Sequence, residues 1–174
     1  VDDAYGLGLD RTAGAMLMVE SDEGGSSAAH ELDLAARACE AAGSTSIVRA
    51  ADPTEADWLR QARRGAHGAL ERAGVARMDD VGVPRSRIPE MLAAIERVAA
   101  AHELRVGVFG HAGDGNLHPT FVVDREDPTA EGRIDAARAE LYKAAVDLGG
   151  TITGEHGTGV ARKGYLAMQR GPEA

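Results

Sequence analysis

The sequence predicts an α+β domain, with a single mixed or antiparallel sheet and helices packed on one face. Three observations carry this. The elements read in the order β-α-β-α-β-α-β-β-α, which mixes crossover connections with a hairpin. The hairpin is explicit: apolar runs at 105–111 and 117–124 are joined by a five-residue loop, too short for a parallel return. Each long helix also carries one apolar stripe, so it has one face to bury.

The Gly- and Asp-rich residues 1–14 read as a connector. Residues 15–20 (AMLMVE) form an apolar run of strand length, closed by a Gly-Ser loop. Leu32, Ala35, Ala36, Cys39 and Ala42 then recur at helical spacing, with Ser26 or Ser27 as N-cap and Gly43 as terminator. Residues 45–50 (TSIVRA) read as a second strand. Asp52-Pro53-Thr54-Glu55 places an N-cap, a first-turn proline and an N3 acid in order. The helix it opens is expected to run to Gly74, with Leu59, Ala62, Ala66, Ala69, Leu70 and Ala73 inward. A third strand is expected at 78–83, closed by Pro84. The helix at 86–102 has the clearest stripe, with Ile88, Met91, Leu92, Ile95, Val98 and Ala99. After the hairpin, a helix from about Thr129 presents Ile134, Ala137, Leu141, Ala145 and Leu148, and stops at Gly149-Gly150. A brief extended piece at 151–153 and a last helix at 160–168 complete the chain.

The totals narrow the function. At 174 residues there is room for one domain with its own core. A net charge of −9 with scattered basic residues argues against nucleic acid or an anionic membrane as partner. No apolar run reaches the roughly 20 residues a transmembrane helix needs. The single cysteine, Cys39, excludes an internal disulfide framework and points to a reducing, cytoplasmic setting.

The chemistry is concentrated in two glycine-rich stretches. Phe109-Gly-His-Ala-Gly-Asp-Gly-Asn-Leu-His-Pro119 sets His111 and His118 at the two mouths of the hairpin loop. Gly149-Gly-Thr-Ile-Thr-Gly-Glu-His-Gly-Thr-Gly159 supplies Glu155 and His156. A divalent ion needs ligands converging within about 2.0–2.2 Å of one point, and His111, His118 and Glu155 form such a set with positions left open for substrate. His156 cannot easily share Glu155's direction and is better placed as a base beside the metal. The bland alternative is that Asp114-Gly115-Asn116 is only a tight turn; three histidines and a glutamate in two such loops weigh against it. Spacing alone does not fix the metal. Arg63 and His67 stand four apart, as on one helix face, where a solvated surface explains them as well as a carboxylate clamp does. Gly24-Gly25-Ser26-Ser27 lacks the Gly-Lys-Ser/Thr ending of a phosphate loop.

Together the two stretches resemble the signature motifs of the FAD-linked oxidase C-terminal domain family, which includes the glycolate oxidase flavin subunit, D-lactate dehydrogenase and D-2-hydroxyglutarate dehydrogenase. The order of residues 15 to about 168 is similar too, including Met18-Val19-Glu20 and Asp80-Val81-Gly82-Val83-Pro84-Arg85-Ser86. The resemblance implies a ferredoxin-like substrate or cap domain. It implies that His111, His118 and Glu155 ligate a divalent metal, zinc or a similar ion, that holds a 2-hydroxy acid. It implies that His156 takes the hydroxyl proton while hydride leaves for FAD, and it raises Arg63 to a substrate-carboxylate partner. It further places Asn116, Glu155, His156 and Gly157 against the flavin. Met78 and His67 depart from the lysine and threonine of the hydroxyglutarate enzymes, which favours a smaller substrate of the lactate or glycolate class. The FAD-binding domain, which holds most of the flavin, and the family's closing segment are expected outside this chain, which alone should turn nothing over. An electron-acceptor protein or quinone, reached peripherally at the membrane, completes the expected partners, and a homodimer is compatible with the resemblance. Two other readings fit the His-His-Glu set: a metal hydrolase that activates water, and a non-catalytic module with a structural metal.

Overall fold

The computed structural model describes residues 1–6 and 8–171; Leu7, within the expected connector, lies outside the described residues. The chain divides into two compact units, Val1–Ala66 and His67–Ala174.

The first unit is helical. Its elements are α1 (Asp2–Tyr5), α2 (Gly25–Ala41) and α3 (Pro53–Arg64). Helix α2 starts from Gly24 as N-cap rather than from Ser26 or Ser27. Helix α3 begins as its sequence dictates: Asp52 Oδ1 accepts from the amides of Thr54 at 2.8 Å and Glu55 at 2.9 Å. Glu55 reaches back to the Ala51 amide at 2.8 Å, one residue beyond the reciprocal bond of a capping box. The strands expected at 15–20 and 45–50 do not form. A strand is stable only when a neighbour takes its N–H and C=O groups, and no ladder reaches either segment among the described residues. Their apolar side chains stay exposed, Met16, Leu17 and Val48 most of all. The single helix expected from 53 to 73 is also broken. Gly65, against which the Tyr5 ring packs, separates α3 from α4 (Ala66–Ala73), and a glycine is the weakest link in a helix interior. None of the stripe residues of α3 and α4 is buried.

The second unit holds the sheet, which is antiparallel throughout: β1 (Val75–Met78), β2 (Val81–Gly82), β3 (Arg105–His111) and β4 (Asn116–Val123). Strand β4 is central. One edge pairs with β3 along its whole length, from His111 opposite Asn116 to Arg105 opposite Val122. The other edge pairs first with β2 and then with β1, so the strand expected at 78–83 is present but interrupted. The interruption has a cause. The Asp79 amide donates to Pro119 O at 2.8 Å, but proline has no N–H to give back, and the ladder lapses at Asp79-Asp80. The register is the same on both sides of the gap, with Met78 opposite Thr120 and Val81 opposite Leu117. Asp80 therefore stands opposite His118.

Strand β4 is buried on both faces. Leu117, Phe121 and Val123 belong to the apolar core, while Asn116, His118 and Thr120 alternate onto the other face. The core is closed by α5 (Ile88–Ala101), which follows a single 3₁₀ turn at Arg85–Arg87, and by α6 (Ala130–Asp147). Met91, Ile95 and Val98 of α5 and Ile134, Leu141 and Ala145 of α6 are buried at the spacing of one helical face. Full burial of each such large aliphatic side chain stabilises by about 1.5–3 kcal/mol. The hairpin, α5 and α6 are as expected. Residues 151–153 contribute a lone bridge, Thr151 to Gly82. The last helix is three short pieces: α7 (Gly159–Arg162), a 3₁₀ turn at Lys163–Tyr165 and α8 (Leu166–Arg170). No helix among the described residues is long and apolar enough to cross a membrane.

Candidate active site

The polar face of the hairpin and the loop after α6 meet within the second unit. Register explains the first half. Phe109 of β3 is opposite His118 and His111 is opposite Asn116, so alternate residues of two strands present aromatic and imidazole rings to one side. The rings of Phe109 and His118 are 5.7 Å apart, and those of His111 and His118 are 5.5 Å apart and nearly perpendicular. The turn between the strands needs glycine at 115, where φ is +74° and an added Cβ would run into the Val83 carbonyl.

The second half is the loop 153–157, and one buried carboxylate holds it. Asp80 Oδ2 accepts from the Thr153 hydroxyl at 2.8 Å and from the amides of Gly154 at 2.9 Å, Glu155 at 3.1 Å and His156 at 2.9 Å. Burial pushes the Asp80 carboxyl up. The His156 amide, the Thr153 hydroxyl, the Glu155 amide and the His156 ring more than offset this, so it sits below the ordinary carboxylate range. Asp79, one residue earlier, faces the other way, as strand alternation requires. It accepts from Arg138 Nε at 2.9 Å and the Tyr142 hydroxyl at 2.5 Å, both on α6. Arg162 Nη2 lies 4.0 Å from Asp79 Oδ1, and Nη1 of the same side chain donates to Gly157 O at 2.9 Å.

With the loop so held, Glu155 Oε1 comes within 3.1 Å of His118 Nε2 and 3.5 Å of His111 Nε2. A tetrahedral ion with ligands at about 2.1 Å spaces them about 3.4 Å apart, so these two separations match a shared divalent ion. His118 is buried, whereas His111 and Glu155 are partly exposed, which leaves one side of the set open to a small ligand. Burial is the largest influence on His118 and pulls its pKa down; Asp80 and Glu155 pull the other way, and His156 and His111 add to the fall, leaving it below the usual imidazole value. His156 stacks on His118, with ring centroids 5.1 Å apart, and its Nε2 is 3.8 Å from Glu155 Oε1. A second trio, Asp80, His118 and His156, also brings three ligand-type atoms together. There, however, the Asp80 oxygen that faces His156 is already taken by four donors, and the other lies 3.7 Å from His118 Nδ1. The shorter separations at His111, His118 and Glu155 fit a metal better.

The structure thus gathers His111, His118, Glu155 and His156. Asn116 is buried at the same place, its carboxamide filling the space where a side chain on Gly154 would project. Gly157 adopts φ +73°, with its carbonyl held by Arg162. A cleft of about 410 Å³ opens alongside, lined by Val83, Asn116, Gly150, Thr151, Gly154 and Glu155. Arg63 belongs to the first unit, on the last turn of α3, and the helical spacing linking it to His67 is interrupted at Gly65. His67 pairs with Glu71 at 3.4 Å and sets its ring edge-on to Phe109. Met78 ends β1 opposite Thr120. Sequence reasoning gave no role to Asp80, Asp79, Tyr142 or Arg162. The available signal was a pair of adjacent acids interrupting a strand-like run, since a buried acid must have partners.

The family of FAD linked oxidases, C-terminal domain, matches residues 1–174. The chain is 38% identical over 170 residues to the glycolate oxidase subunit GlcD of Bacillus subtilis, covering 97% of this chain and 36% of that protein. It is 32% identical over 130 residues to the GlcD subunit of Escherichia coli K12, covering 74% of this chain and 26% of that protein. A D-lactate dehydrogenase of Anaerostipes hadrus is 40% identical over 94 residues, 53% of this chain and 20% of that enzyme. The chain therefore spans about a third or less of the length of these relatives.

Proposed function

The chain belongs to the family of FAD linked oxidases, C-terminal domain, and from that premise we propose that it is the substrate domain of an enzyme oxidising a small 2-hydroxy acid, of the D-lactate or glycolate class, to the 2-oxo acid. The observation that carries this is the meeting of His111, His118 and Glu155 around one point, with the imidazole of His156 beside them.

Such an oxidation removes the hydroxyl proton and the C2 hydrogen with its electron pair. FAD, held mainly by a separate domain of the same protein and faced here by Asn116, Glu155, His156 and Gly157, supplies the acceptor for that pair. A divalent ion, for which zinc is our assignment, would be held by His111, His118 and Glu155 and supplies Lewis acidity to the hydroxyl. The chain's own residues do the rest. His156 receives the hydroxyl proton, its ring half exposed and fixed by the stack on His118. Arg63 binds the substrate carboxylate through paired N–H donors. The cleft beside Glu155 has room for a three-carbon acid. Met78 and His67 offer no lysine or threonine to a second carboxylate, which favours lactate or glycolate over hydroxyglutarate. Electrons leave to a redox protein or quinone, and the single free thiol of Cys39 fits a cytoplasmic setting.

The test is anaerobic flavin reduction in the intact protein by D-lactate, glycolate and D-2-hydroxyglutarate, with and without a chelator. Bleaching of the visible flavin band by D-lactate or glycolate, abolished by chelation, is expected. A protein without flavin, or one reduced equally well after metal removal, would overturn the reading.

A further inference from the structure

We propose that Asp80 is a positioning residue for this site, setting the tautomer of His118 and the placement of the 153–156 loop at once. The inference rests on reading His111, His118 and Glu155 as the metal set.

The two carboxylate oxygens of Asp80 do different things. Oδ2 accepts from all four groups of the loop, from the Thr153 hydroxyl to the His156 amide. Oδ1 has only a long contact of 3.4 Å to the Glu155 amide, and it faces His118 Nδ1 at 3.7 Å. That ring nitrogen is buried and makes no hydrogen bond of its own. It stands within roughly 0.7 Å of hydrogen-bond length from the carboxylate that the strand register has set opposite it. A buried imidazole nitrogen facing a carboxylate keeps its proton. With the proton on Nδ1, the lone pair is left on Nε2, the atom 3.1 Å from Glu155. This is how a carboxylate fixes a metal-binding histidine.

Asp80→Asn separates the two tasks. The carboxamide oxygen must take the place of Oδ2, because an NH₂ group there would face four donors. The NH₂ group then faces His118 Nδ1 and forces that nitrogen to accept. The ring proton moves to Nε2, and the lone pair for the metal is lost, although the loop keeps an acceptor.

The experiment uses the intact protein. Zn²⁺ affinity is measured by competition with a chromophoric chelator, and the His118 tautomer is read from ¹⁵N shifts in histidine-labelled protein, assigned with His118→Gln. The expected result is an Nδ1–H tautomer in the metal-free wild type, an Nε2–H tautomer in D80N and Zn²⁺ binding weakened roughly 10–100-fold. Unchanged Zn²⁺ affinity in D80N overturns the inference and leaves the metal set intact. If D80N does not fold, the wild-type tautomer decides: Nε2–H refutes the role and Nδ1–H supports it. Failure of the wild type to bind Zn²⁺ overturns the metal set itself, and this inference with it.

Discussion

The ring of His156 lies flat on that of His118, with centroids 5.1 Å apart and planes 10° from parallel. Burial pulls the His118 pKa down, which favours an uncharged ring beneath His156, the base proposed above. His156→Gln is therefore expected to slow flavin reduction by about 10²–10⁴-fold, the usual size of a lost general base. Zinc content should not change, because His111, His118 and Glu155 are untouched. Stopped-flow reduction beside metal analysis checks both halves, and a loss of zinc equal to the loss of rate would move His156 into the ligand set.

Gly154 has no room for a side chain, because a Cβ there would enter the space of the Asn116 carboxamide. Gly154→Ala must shift either Asn116 or the loop that carries Glu155. A loss of about 1–3 kcal/mol in urea unfolding is expected, the range for overpacking a closed site, together with weaker zinc binding. Gly132→Ala, within α6 at a position where an added Cβ meets nothing within 4 Å, is the control: it should leave zinc binding unchanged and raise stability by about 0.4–1 kcal/mol.

Asp79 is buried among Arg138, Tyr142 and Arg162, and Asp79→Ala leaves their polar groups without it. Breaking such a pair from one side costs about 3–5 kcal/mol; Arg138 keeps some solvent access, so the lower end is expected. The exposed pair Arg77–Glu131 gives the contrast. Arg77→Ala should cost no more than about 1 kcal/mol. Chemical denaturation of both variants separates the cases.

Tyr142 supplies a pH test. Burial pushes its phenol up first, and the neighbouring Asp79 charge and the hydrogen bond to Asp79 push it further. The folded protein thus resists ionising this group while the unfolded chain ionises it near the ordinary phenol value of 10.0. Above that pH the unfolded state binds fewer protons, so stability falls as pH rises. The contribution is complete below the unfolded value and is lost progressively towards the raised folded one. Tyr142→Phe should cost roughly 1.5–3 kcal/mol at neutral pH, the worth of a hydrogen bond to a charged group. Its unfolding midpoint should also fall less steeply than the wild type's in alkaline buffer.

The parts of the structure that local sequence encodes were legible. Helices α5 and α6 announce themselves by one apolar stripe each, the β3–β4 hairpin by its short link, and the metal-type residues by histidine and glutamate in glycine-rich loops. What was missed depends on partners distant in sequence. Asp80 meets His118 only through the register of β4, and no spacing rule reveals that. The runs at 15–20 and 45–50 have strand composition, but composition does not supply a neighbouring ladder. The apolar spacing of residues 53–73 continues across Gly65, so it carries no sign of the break between α3 and α4. Arg63 has a role only through the family resemblance, because it stands on the last turn of α3 in the first unit and its spacing to His67 is interrupted at Gly65.

Strand β4 gives its odd-numbered residues to the hydrophobic core and its even-numbered residues to the imidazole face. The site and the core therefore take opposite parities of one register. A slip of β4 by one residue against its neighbours would turn Phe121 off the core face and His118 onto it in the same stroke. A slip of two would restore both faces and cost only pairing at the ends. Chemistry and folding are thereby inherited as one unit along this strand, so a drifting sequence cannot lose the first by a register slip while keeping the second.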